Sequence, residues 1–86
     1  MPYIKPEERR KYDDILRELP PLKTKGELEY CIFKLMKRFM SDKENRYSNQ
    51  HDCAYGAIHC GDEWRRRYLD IREDVAKMTN GDVEVN

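Results

Sequence analysis

Residues 49–79 read NQHDCAYGAIHCGDEWRRRYLDIREDVAKMT. Ala54, Ala57, Gly61, Trp64, Tyr68, Ile71, Val75 and Met78 recur along this stretch at intervals of three and four. That heptad-like seam belongs to a helix packed nearly parallel to a neighbour over several turns. Ser48 or Asn49 is placed to cap its start, and Asn80-Gly81 supplies a left-handed stop. The spacing therefore predicts one long C-terminal helix over 49–79. Gly56 and Gly61 each cost roughly 1 kcal/mol against alanine in a helix interior. They mark close helix contacts or a kink in that rod.

Working upstream, the polar run SDKENRYSNQ, residues 41–50, has no period and reads as a loop. Before it, Leu28, Cys31, Ile32, Leu35, Met36 and Phe39 form an amphipathic stripe, predicting a helix over 25–41. Thr24-Lys25-Gly26-Glu27 opens it as a capping box, with Glu27 reaching back to the Thr24 N–H. A first helix over 6–19 follows from Pro6 at its first position, Glu7 and Glu8 at the positive dipole end, and Tyr12, Ile15, Leu16 and Leu19 on one side. Pro20-Pro21 stops it. The expected fold class is all-α: a single three-helix domain over 1–86 with ends 1–5 and 81–86 extended or frayed. Tyr3-Ile4 and Asp82-Val83-Glu84-Val85 are strand-forming in type, so a short two-stranded ribbon from the termini is an alternative to frayed tails.

With 17 basic and 17 acidic residues, the chain of 86 residues has zero formal net charge although 40% of it is charged. Zero net charge excludes a generally basic nucleic-acid coat and a polyacidic tail, because either needs a field of one sign. No apolar run in the first twenty residues suits a signal peptide, and none anywhere suits a bilayer span. Three cysteines without close pairing read as small buried hydrophobes in a reducing compartment. The expected location is cytoplasmic, the host cytoplasm if the source is a phage.

Only 38% of the residues are hydrophobic, and so short a chain hides little of its unfolded surface. Its core must be thin. Opposite the seam, His51, Tyr55, Ile58, Asp62 and Leu69 share a second side of the long helix, about 120° to 180° from Trp64. Tyr55, Ile58 and Leu69, with Tyr30 and Phe33 on the second helix, exceed what two short partner helices can cover. These five residues are the expected interface of a homo-oligomer; scattered exposed apolar groups are the plainer reading.

The chemistry-bearing residues point away from catalysis. His51, Cys53, His59, Cys60 and Asp62 resemble a metal cluster in composition, but the helical wheel turns the cysteines and histidines to different sides. Cys60 has His59 beside it, and adjacent helical residues do not face each other. The paired carboxylates of a helical nucleotide pyrophosphohydrolase are missing, since three positions after Glu7, Glu27, Glu63 and Glu73 stand Arg10, Tyr30, Arg66 and Ala76. No catalytic residue, metal or cofactor is expected. Glu63-Trp64-Arg65-Arg66-Arg67-Tyr68 is the cluster that stands out. Arginine forks take phosphate in two-point fashion and the rings offer a stacking surface. Trp64, Arg65, Arg66, Arg67, Tyr68 and Arg72 are therefore the expected ligand-binding residues. The plainer reading pairs Glu63 with Arg67, Arg66 with Asp70 and Glu73 with Lys77 as surface partners one turn apart. Lys34, Lys37, Arg38, Lys43 and Arg46 give only a mild second basic region, and nucleic acid is not indicated.

Met1-Pro2-Tyr3-Ile4-Lys5-Pro6-Glu7, the Glu63–Arg67 run, Glu73-Asp74 and Asn80-Gly81-Asp82-Val83 together resemble a family of small uncharacterised helical proteins of phages and bacteria. Relatives in that family carry a proline at the position of Ile71, which implies a break in the long helix. The resemblance brings no known activity. It implies a phage-like setting in which small helical oligomers act by binding, some of them by sequestering nucleotide second messengers of host defence. The expected function is a non-enzymatic, homo-oligomeric binding protein, phage-encoded and acting in counter-defence, that captures a nucleotide-derived anionic ligand or a host protein. The alternatives are a metal-dependent, nucleotide-acting helical enzyme with a site across subunits, and a nucleic-acid-binding regulator.

Overall fold

A computed structural model describes residues 2–83. Every regular element among them is helical. The elements are α1 (Pro6–Arg17), α2 (Lys25–Met40), α3 (Tyr47–Trp64), a π turn (Arg65–Leu69) and α4 (Asp70–Asn80). α3, the π turn and α4 run on without interruption, so the long C-terminal helix exists and is continuous through Ile71. Neither Tyr3-Ile4 nor Asp82-Val83 forms a strand; Glu84 and Val85, the other half of the ribbon expectation, lie outside the described residues.

Local chemistry accounts for most of the boundaries. Pro6 opens α1 with Glu7 and Glu8 in its first turn, and the Arg9 guanidinium donates back to the Ile4 carbonyl at 2.9 Å. α1 ends at Arg17, two residues short of the expected 19. Glu18 and Leu19 donate to the carbonyls of Ile15 and Leu16 in a tightened last turn before Pro20 forces the chain extended. Thr24 caps α2 as expected, its Oγ1 accepting the Glu27 N–H at 3.0 Å. The reciprocal arm differs. Glu27 Oε1 accepts from the Lys23 N–H at 2.9 Å and not from Thr24.

α3 begins at Tyr47, and neither Ser48 nor Asn49 caps it. The Asn49 amide is spent on the loop, donating to the Glu44 carbonyl at 3.0 Å, which winds the helix two residues further back than expected. At the other end Gly81 has φ 88°, a conformation that favours glycine, and its N–H donates to the Lys77 carbonyl at 2.9 Å. The expected glycine stop is therefore in place.

The six-residue turn between α2 and α3 folds them into a hairpin, the only pairing of separate α-helices among the described residues. The Cys53 thiol donates to the Met36 carbonyl at 3.5 Å across that seam. Leu19, Pro20, Pro21 and Leu22 line an open cavity together with Gly26, Tyr30 and Cys31 at the start of α2. α1 itself packs on no other helix. Its N-terminal approach is tied instead to the π turn, where Arg67 Nη1 donates to the Tyr3 hydroxyl at 3.0 Å.

The thin core expected from composition is thinner than that. Among the described residues none is buried; Cys31, Met36, Met40, Asn49, Cys53, Ala57 and Glu63 are half-buried at most. The Cα radius of gyration is 17.4 Å, against about 12 Å for a compact chain of this length.

Candidate functional site

The site is built on the π turn. Asp70 N–H donates to the Arg65 carbonyl five residues back, so the segment holds one residue more than an α-turn would. An extra residue shifts every later side chain by about 100° around the axis. The expected continuous seam is corrected here. Ile71, Val75 and Met78 do not carry on the face begun by Ala54, Ala57 and Gly61, and Arg72 and Ala76 move toward it. Ile71 and Val75 are each 57% exposed and Met78 is 84% exposed.

Within the turn the Trp64 and Tyr68 rings lie 4.5 Å apart, tilted by 45°, and both are exposed, at 66% and 46%. The Arg67 guanidinium stands over the Tyr68 ring, 5.4 Å from its centroid. Its other partner is the Tyr3 hydroxyl, which raises the Arg67 pKa, with a smaller contribution from the nearby Glu63 charge. Arg66 is different. It pairs with Glu63 at 2.5 Å, an interaction that raises the arginine and holds the glutamate below its ordinary range, with weaker help from Tyr3 and Arg67.

Arg65 reaches Asp62 only at 3.8 Å, and Arg72 has no ion pair among the described residues. The i,i+4 pairings expected for Glu63 with Arg67, Arg66 with Asp70 and Glu73 with Lys77 do not form there; the helical ion pairs are i,i+3. The π turn explains the first two, because it moves residue i+4 off the line below residue i. Of the six expected ligand-binding residues, five lie in or directly beside one turn, and Arg72 stands at the start of α4.

Tyr30, Phe33, Tyr55, Ile58 and Leu69 are all exposed. Tyr55 belongs to a feature that sequence reasoning missed. Tyr47, His51, Tyr55 and His59 form a ladder on α3 with ring centroids 5.8, 4.2 and 6.0 Å apart, the His51–Tyr55 step being stacked. The signal in the sequence is the spacing of four between Tyr47, His51, Tyr55 and His59. Among the described residues no three His, Cys, Asp or Glu side chains stand together as a metal site requires. Cys53 is half-buried and Cys60 exposed, so neither is the fully buried hydrophobe expected. In the second basic region Lys34, Lys37 and Lys43 lie over the rings of Tyr30, Phe33 and Phe39, and Arg46 pairs with Glu44 at 2.6 Å. No helix among the described residues is long and apolar enough to cross a membrane.

Fold and site define a small all-helical protein whose one concentration of arginine and aromatic side chains sits on an irregular turn of its longest helix. The chain belongs to the family described as domain of unknown function (DUF6899), which matches residues 1–83. No curated protein and no solved structure matches it.

Proposed function

We propose that the protein is a non-enzymatic binding subunit that takes a compact, anionic, nucleotide-derived ligand at the π turn, where a second copy of the chain borders the site. The observation that carries this reading is the exposed Trp64–Tyr68 ring pair with the Arg67 guanidinium beside it, which forms no ion pair among the described residues. The rings offer a base two faces at one helical turn's separation. Arg65 and Arg72 supply forks for phosphate, while Arg66 serves chiefly to hold Glu63 out of the ligand's way. In the phage-like setting implied by the sequence resemblance, such a subunit acts in counter-defence by sequestering a nucleotide messenger of the host.

Calorimetric titration with a panel of linear and cyclic nucleotides tests it. At least one should bind, and Arg67→Ala or Trp64→Ala should weaken binding about tenfold or more, the worth of a charge-assisted contact or a stacked base. No heat with any member of the panel would end the ligand reading. Turnover of a nucleotide in the presence of magnesium or zinc would end the non-enzymatic one.

A further inference from the structure

We propose that two copies of the chain associate about a two-fold axis with their α2–α3 hairpins antiparallel, so that α1 of each copy lies in the α2–α3 groove of the other. The inference stands independently of any ligand at the π turn.

The chain exposes 8421 Å². A folded monomer of 10.4 kDa exposes about 5,400 Å², so roughly 3,000 Å² here lacks the cover that a self-sufficient domain gives itself. Obligate pairs bury about 1,000 to 2,500 Å² per chain. A surplus at and above the top of that range calls for an interlocked partner, well beyond a small surface contact.

Between α2 and α3 runs an apolar groove of about 310 Å³ lined by Ile32, Leu35, Met36, Phe39, Cys53 and Ala57. A Cβ added at Gly56, in its floor, would meet nothing within 4 Å, so the groove has room for inserted side chains. The matching convex element is α1, whose Tyr12, Ile15 and Leu16 are all exposed on a helix that packs on no other.

α1 does not fill its own groove because both of its ends are held at the open end of the hairpin. Tyr3 is tied to Arg67 at one end, and at the other the seven residues from Glu18 to Thr24 join α1 to the start of α2, with Leu19 to Leu22 bordering a cavity shared with Tyr30 and Cys31. The groove extends toward the opposite, loop end, with Phe39 and Asp52 at its limit. A two-fold axis that sets the hairpins antiparallel brings the open end of one copy to the loop end of the other. Stripe then meets groove twice, once in each direction, as an isologous interface requires.

Light scattering at micromolar concentration and a disulfide trap test this together. The expected mass is twice that of the chain. In a Cys31→Ser background, Leu16→Cys places a thiol on the α1 stripe, with the native Cys53 and Cys60 lining the groove. Mild oxidation should link it to the groove of a differently tagged copy, giving a covalent pair on a non-reducing gel. Asp14→Cys, on the opposite side of α1, should add no such link, and neither should the Cys31→Ser parent. A single-chain mass, a mass above two chains, a Leu16→Cys link within one chain, or equal linking from Asp14→Cys would each overturn the proposal. None of these readouts depends on a nucleotide.

Discussion

If a second copy completes the fold, the protein should melt at a temperature that depends on its own concentration. The lone chain covers about 44% of the surface an extended chain of its mass exposes, against roughly 60–65% for a self-sufficient domain of this size. Folding and association are then one event, and each tenfold dilution removes about 1.4 kcal/mol from the folded pair. Two chains of 86 residues unfold with an entropy of roughly 0.36 kcal/mol/K, so that loss lowers the midpoint by about 4 °C per decade. Circular dichroism melts from 1 to 100 μM should therefore separate by about 8 °C, with one transition throughout. Coincident midpoints across that range, with a cooperative transition, would show that the single chain is stable as it stands. The apolar sides of α1 and α4 would then need no second copy to cover them.

The smaller elements make their own predictions. Thr24→Ala removes the acceptor for the Glu27 N–H and should cost about 1 kcal/mol in chemical denaturation at fixed protein concentration; a change within error would mean the Lys23–Glu27 contact alone holds the start of α2. Glu63 titrates below the ordinary glutamate range because Arg66 favours its charged form, so its contribution to stability is present above that range and is lost as pH falls through the lowered value. The carboxyl carbon shift, followed by NMR, should show this midpoint moving back up in Arg66→Ala, and an unmoved midpoint would refute the pairing. Tyr3→Phe deletes the acceptor for Arg67 and should cost about 0.5 kcal/mol, a typical net value for an exposed hydrogen bond. Hydrogen exchange should quicken at the start of α1 and stay unchanged in the middle of α2; uniform change would show that the tie is not local.

Helices are legible in this sequence where one local device settles them. Thr24 and the stripe from Leu28 to Phe39 announce α2, Pro6 announces α1, and Gly81 announces the stop after α4, because each acts through its immediate neighbours. The π turn is not legible in the same way. The apolar period is helical on both sides of Arg65–Leu69, and a one-residue phase slip between two regular stretches leaves every spacing of three and four intact. The slip nevertheless decides which carboxylate Arg66 finds, and so undoes the expected Glu63–Arg67 pair. The start of α3 was misread for another reason. A cap residue is recognised by its type, and Asn49 is the right type, but its amide is engaged by Glu44 in the preceding loop. The Arg–aromatic cluster was legible because all but one of its members fall within five consecutive positions.

The π turn also gives the long helix two differently directed faces that one continuous phase would not allow. Along α3, the face holding Cys53, Gly56, Ala57 and Cys60 is made of small residues and is committed to the α2 side of the hairpin. Had the helix kept its phase, Ile71, Val75 and Met78 would extend that face past the start of α2, where the hairpin has no second helix to meet them. The added residue turns them aside and brings Arg72 round in their place, next to the turn that already carries Arg65 and Arg67. Arg65 and Arg67 flank the Trp64–Tyr68 ring pair from either side, and the apolar side of α4 is turned in a different direction from that of α3. One residue of insertion thus separates the arginine–aromatic surface from the packing surface of the hairpin along a single rod.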